Sequence, residues 1–207
     1  MKFDQFLEKV IFLFPKNPLN KEHKPRMESI IEHDAIGKSE QLAASEKLSK
    51  YDIGLLLLHD KREMLQMLVQ KNIPLLEDSI TFAAWYDHLE LAKWLRSLGY
   101  KPTYGTLALT AARDYWEFAE WALEQGISRC DDCWCMGYSA SMGNLGAMKK
   151  LFDWGFTMNE KVADAAAKAG HLDILKWLRS KGCPFNPTIT IVADPSVTKW
   201  LMDLSRD

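Results

Sequence analysis

Three cysteines crowd into "CDDCWC", residues 130–135, and this is the first place in the chain where chemistry could be concentrated. Cys130, Cys133 and Cys135 could offer thiolates to a metal, with Asp131 and Asp132 as oxygen ligands. A structural zinc site closes with four tetrahedral ligands, commonly in two paired clusters. The chain has no second Cys-x-x-Cys and no His-x-x-x-His, and the fourth cysteine, Cys183, stands far downstream. The spacing therefore reads as small buried thiols, with Cys133 and Cys135 opening a helix and Cys130 in the preceding loop. A cysteine-based metal-binding or redox-sensing protein is the alternative. A thioredoxin-like use of Cys130 and Cys133 would need strands around them, and no strand pattern is there. Four cysteines so placed make no disulfide framework and fit a reducing, intracellular compartment, so the expected location is cytoplasmic.

Histidines stand at 23, 33, 59, 88 and 171. His33 and Asp34 have no serine or cysteine nucleophile in a supporting context. No Gly-x-Ser-x-Gly, phosphate-cradling glycine loop or His-Glu-x-x-His occurs, so no enzyme and no cofactor are expected. His88 and His171 occupy equivalent places in two similar segments, which predicts a structural hydrogen bond at each.

The balance of 26 basic and 28 acidic residues leaves a net charge of −2. A general electrostatic hold on nucleic acid or anionic lipid is not expected at that charge. The basic stretch "KNPLNKEHKPR" at 16–26 includes Glu22 and two prolines and reads as a solvated loop. No apolar run approaches the roughly 18 residues a membrane span needs. The opening "MKFDQFLEKVIFLF" carries Asp4 and Glu8, unlike the apolar region of a secretory signal.

The elements that would position these residues repeat. "DHLELAKWLRSLGYKP" at 87–102 is nearly restated by "GHLDILKWLRSKGCP" at 170–184. The residue following each such helix is Asn72, Gly99, Gly126, Gly155, Gly182 and, more loosely, Ser205, in steps of 27, 27, 29, 27 and 23. A fixed period in this range signals units that bury their apolar faces by stacking on one another. Leu91, Trp94, Leu95 and Leu98 form one helical stripe, repeated by Ile174, Trp177 and Leu178, by Met64, Met67 and Leu68, and by Phe118, Trp121 and Ala122. In the unit of Met148 and Leu151, Lys150 replaces the tryptophan. Trp94, Trp121, Trp177 and Trp200 share this position and are expected in the core, with Trp154. Asp60 with Glu63, and Asp87 with Glu90, have capping-box spacing. Gly99 and Gly182 suit left-handed helix ends, and Pro102 and Pro184 block continuation.

The first half of each unit is short and rich in small residues: "SITFAA" (79–84), "LALTAA" (107–112), "GYSAS" (137–141) and "VADAAA" (162–167). Alanine pairs admit a second helix closely, so each unit is expected to be helix–turn–helix. Between the helices lies a variable pair of residues, read as Trp85-Tyr86, Arg113-Asp114, Ser141-Met142 and Lys168-Ala169.

"AAAKAGHLDILKWLRSKGCP" resembles the ankyrin repeat, whose helices carry an alanine pair, two variable turn residues and Gly-His-Leu-Glu. It is most similar to short, tryptophan-containing versions found in large DNA viruses and amoeboid protists. The resemblance covers about 51–205. The family's Thr-Pro-Leu-His helix opening is missing, and the linker from Gly99 to Thr106 has little room for a projecting hairpin. The resemblance implies an all-α helical-repeat solenoid of ankyrin-like helix–turn–helix units lacking long β-hairpins. It also implies a protein–protein interaction scaffold or adaptor, one that in the viral versions engages a host protein through the repeat face.

Residues 1–50 do not repeat and are expected to form a helical N-terminal cap. Phe3, Phe6, Leu7, Val10, Ile11 and Phe14 give an amphipathic helix stopped by Pro15, and 26–37 and 39–48 also read as helical. Residues 51–207 are read as an array of five to six units, the last shortened around Asp194-Pro195-Ser196. The partner-binding residues expected on the turns are Trp85, Tyr86, Arg113, Asp114, Tyr115, Ser141, Met142 and Lys168, because aromatic, Arg and Met side chains favour interface centres. The expected partner is another protein, with neither nucleic acid nor membrane. A structural assembly subunit is a further alternative.

Overall fold

The computed structural model describes residues 50–127, 134–186 and 188–204. Among these residues every regular element is helical and none is a strand, as expected for an all-α chain. The expected helices at 3–14, 26–37 and 39–48 lie outside the described residues. The chain divides into two compact units, one ending at Thr103 and one starting at Tyr104.

The first unit holds α1 (Lys50–Leu58), α2 (Arg62–Gln70), α3 (Ser79–Ala84) and α4 (Leu89–Ser97). In it α1 packs on α2 and on α3, and α3 packs on α4. The second unit holds α5 (Tyr104–Ala112), α6 (Trp116–Glu124), α7 (Trp134–Ser141), α8 (Leu145–Asp153), α9 (Glu160–Lys168), α10 (Leu172–Ser180), α11 (Ile189–Val192) and α12 (Pro195–Leu204). There α7 packs on both α5 and α9, and α11 packs on α9. Each of these four also packs on the helix that follows it in the chain.

Small side chains make this close approach possible. From Gly105 to Ala112 every residue of α5 is buried. Buried hydroxyls there need partners, and the Thr110 hydroxyl donates within its own helix to Thr106 O at 2.9 Å.

The second helix of each pair buries a narrower stripe than the sequence suggests. Fully buried are Leu91, Ala92 and Leu95 in α4, Phe118, Ala119 and Ala122 in α6, Ala147, Met148 and Leu151 in α8, and Ile174, Leu175 and Leu178 in α10. The repeat tryptophans Trp94, Trp121, Trp177 and Trp200, expected in the core, are instead half-buried, as is Trp154. The physical reason is angular. The buried positions are i, i+1 and i+4, which places the tryptophan at i+3 on the flank of the stripe. An indole is large enough to cover that flank and still pack on a neighbour. Trp177 meets Phe152 edge to face at 5.8 Å, and Trp121 meets Phe118 at 5.5 Å.

Lys150 at this tryptophan position has its own arrangement. Its ammonium lies 4.1 Å from the centroid of Trp116 and 5.2 Å from that of Trp154, while the two indoles touch edge to face at 5.6 Å. The charge lies over ring faces at the position where other units place an indole.

Candidate partner-binding face

Five of the turns between paired helices share one backbone closure. The amide just before the second helix donates to a carbonyl five residues back: Lys61 to Leu56 (3.0 Å), His88 to Ala83 (3.0 Å), Tyr115 to Thr110 (2.9 Å), Asn144 to Ser139 (3.0 Å) and His171 to Ala166 (3.0 Å). This closure requires a left-handed residue immediately before the donor. Asp60, Asp87, Asp114, Gly143 and Gly170 supply it, with φ of 45°, 61°, 62°, 76° and 77°. Asparagine and aspartate are the side chains that tolerate this region best after glycine.

The expected capping boxes are therefore not what the aspartates make. Lys61 and His88 precede α2 and α4, and neither helix start has a side-chain cap. Asp60 and Asp87 are consumed by the turn one residue earlier. Asn144, at the corresponding place before α8, does cap, its Oδ1 accepting from the Ala147 amide at 2.8 Å.

The same closure corrects the register of the variable pairs. Counting back from the left-handed residue, Arg113 corresponds to Tyr86, Met142 and Ala169, and its neighbour Ala112 corresponds to Trp85, Ser141 and Lys168. The expected pairing of Arg113 with Trp85 was one residue out, because Asp114 belongs to the closure and not to the variable pair.

Three side chains, each from the following pair, tie successive turns together. His88 Nε2 lies 2.9 Å from Leu58 O, and His171 Nε2 lies 3.3 Å from Ser141 O. Asn144 Nδ2 donates to Ala112 O at 3.1 Å. These carbonyls end α1, α7 and α5, where a helix runs out of its own donors. A carbonyl only accepts, so Nε2 carries the proton in both histidines. The expected structural hydrogen bonds at His88 and His171 are present.

Exposure then separates anchors from scaffold. Tyr86 and Met142 are each 50% exposed. Lys168 and Asp114 are exposed, whereas Trp85, Arg113, Tyr115 and Ser141 are half-buried. In the second unit the ends of α5, α7 and α9 lie side by side, which brings the turn residues Arg113, Met142 and Lys168 onto one edge. The Asp114 carboxylate accepts from Asn144 Nδ2 at 2.9 Å, so it braces this edge. Ser141 is similarly engaged, its hydroxyl donating to Tyr138 O at 2.8 Å. Burial pushes the Tyr138 phenol above its ordinary pKa, while the Arg113 guanidinium works the other way. In the first unit Tyr86 stacks on His59, with centroids 6.1 Å apart. His59 was not among the expected site residues, although it stands 27 residues before Tyr86, one repeat period.

No protein-family model matches this chain, and no curated protein matches it.

The cysteine cluster is only partly within the described residues. Cys130, Cys133, Asp131 and Asp132 lie outside them. Cys135 is buried in the first turn of α7, and Cys183 is buried with its Sγ 3.4 Å from Asn159 O. Among the described residues no group of three His, Cys, Asp or Glu side chains could hold a metal ion, and no helix is long and apolar enough to cross a membrane.

Proposed function

We propose that this chain is a helical-repeat interaction scaffold of ankyrin-like units that binds another protein through the turns joining its helix pairs. In this reading it binds without catalysing, in the cytoplasm, and takes neither nucleic acid nor lipid as ligand. The observation that carries the reading is the combination of a rigid, repeated turn with exposed anchors at one position of it. Tyr86 and Met142 hold corresponding places, each half exposed, on a backbone closed by the same hydrogen bond. A preformed face loses little conformational freedom on binding, so a few well-placed anchors can supply the affinity.

Affinity capture with the full chain, followed by titration of the recovered partner, tests this. Tyr86→Ala and Met142→Glu should each weaken binding at least about tenfold, as hot-spot losses do. Exposed positions of this kind shift stability by no more than about 0.5 kcal/mol, so folding serves as the control. A partner whose affinity is untouched by both substitutions would exclude the turn face.

A further inference from the structure

The outward side of α6 departs from the other second helices. α6 carries Glu117, Glu120 and Glu124, all exposed, and no basic residue. α2, α4, α8, α10 and α12 each carry a lysine or arginine. On α4 the two signs pair, with Lys93 donating to Glu90 at 2.6 Å. At about 100° per residue, the three glutamates of α6 fall within a sector of about 60°, with Trp116 on one flank and Trp121 on the other. Glutamates three and four residues apart repel, and Glu124 lies in the last turn, at the negative end of the helix dipole. Packing does not require them, since the buried stripe of α6 is Phe118, Ala119 and Ala122. Residues set against the local rules of helix stability are expected where a surface has a function.

One corner of this face already holds a cation. The Lys150 ammonium reaches across from α8 to lie 4.1 Å from the Trp116 centroid and 3.5 Å from Glu120 Oε1, with the Trp154 centroid at 5.2 Å. An ammonium over an indole face and beside a carboxylate is thus part of the fold. It answers Glu120 alone. Among the described residues Glu117 and Glu124 have no ion pair. The other charges nearby cancel in pairs, Asp153 against Lys149 on α8 and Asp114 against Arg113 on the turn before α6. The face therefore keeps an excess of negative charge. Its glutamates do not converge closely enough to hold a metal ion. They span about 10 Å along the helix, so the cation that answers them is an elongated one.

We propose that the outward face of α6 docks an arginine-rich segment of a partner protein, through a helix side rather than through the turns. Charge complementarity selects a basic occupant, and the indoles select arginine over lysine. A guanidinium pairs with a carboxylate through two parallel hydrogen bonds and stacks flat on an indole, whereas an ammonium is a strongly hydrated point charge. Roughly four extended residues cover the length of the glutamate row. Arginines on such a segment meet Glu117 and Glu124 directly, and one of them displaces Lys150 from Glu120 and the Trp116 ring.

Titration of the full chain with a fluorescein-labelled hexa-arginine peptide, at about 50 mM salt, tests the proposal. Glu117→Gln/Glu120→Gln/Glu124→Gln should weaken binding about tenfold, the product of three modest pairs. Glu63→Gln/Glu160→Gln/Asp173→Asn removes the same charge from exposed positions elsewhere and should weaken it less than about twofold. Lys150→Ala vacates the indole corner and should tighten binding about threefold. A hexa-lysine peptide should bind more weakly than hexa-arginine. In NMR the indole Nε1–H signals of Trp116 and Trp121 should move on titration, and that of Trp177 should not. Equal losses in the two triple variants would reduce the effect to net charge and overturn the proposal. So would weaker binding in Lys150→Ala, unmoved Trp116 and Trp121 signals, or hexa-lysine binding as tightly as hexa-arginine. Tyr86→Ala should leave the peptide bound as before; a loss there equal to that of the α6 triple variant would place the peptide on the turns instead.

Discussion

The imidazole of His171 lies so close to the α-carbon of Gly143 that a Cβ there would fall 2.7 Å from its Cε1. Gly143 is also left-handed, with φ of 76°. Two separate penalties thus meet at one residue, and they can be measured apart. At Gly99, φ is 96° but nothing lies within 4 Å of the same position. Gly99→Ala should cost about 1–2 kcal/mol from backbone strain. Gly143→Ala should cost roughly 2–4 kcal/mol, because the ring must also give way and release Ser141 O. Urea unfolding of both variants, with the Gly143→Ala/His171→Ala double variant, checks this. The double variant should show less than the sum of its parts.

His88→Ala removes the donor to Leu58 O and should lower stability by about 1–2 kcal/mol. His88→Asn should recover most of that, since asparagine already does this at position 144. Equal losses in the two variants would mean that the ring's packing, and not its hydrogen bond, matters.

Burial ranks the apolar positions of the second helices. Phe118 is fully buried, so Phe118→Ala should cost about 3–5 kcal/mol. Trp121, on the flank of the same helix, is half-buried, and Trp121→Ala should cost clearly less despite removing a larger side chain. Denaturant midpoints of the two variants decide the order.

Lys150 should contribute through its charge as well as its stem. Lys150→Met keeps the aliphatic packing and should lose about 0.5–1 kcal/mol, the worth of an ammonium over an indole at an exposed site. The Glu120 carboxylate at 3.5 Å adds little, because exposed ion pairs are screened. High salt should therefore leave most of the difference in place.

Stability should slope at both ends of the pH range. The His59 pKa is depressed in the fold, so its contribution is complete above the unfolded imidazole value and is lost as pH falls through the folded one. His59→Gln should flatten the acid side. The Tyr138 pKa is raised, so its contribution is complete below the unfolded phenol value and disappears as pH rises through the folded one. Tyr138→Phe should remove the alkaline decline attributable to that residue. Thermal melts across the range check both.

Helix pairs and their period were legible in the residues alone. Alanine-rich first halves, apolar spacing in the second halves and glycine after most of the second helices are local signals, set by side-chain volume and backbone conformation. Of the six residues expected just past the second helices, Asn72, Gly99, Gly126, Gly155 and Gly182 are left-handed, and Ser205 lies outside the described residues. Tertiary structure decided the rest. Whether a tryptophan sits in the stripe or on its flank depends on what packs against the helix, and helical spacing is compatible with both. Which turn residue aligns with Arg113 depends on a hydrogen bond between residues five apart, invisible until the turn closes. The meeting of His59, Tyr86 and His88 needs two turns, 27 residues apart, brought together by the packing of α3 on α1. Local sequence dictates local conformation, but ring contacts and burial are properties of neighbours that only folding supplies.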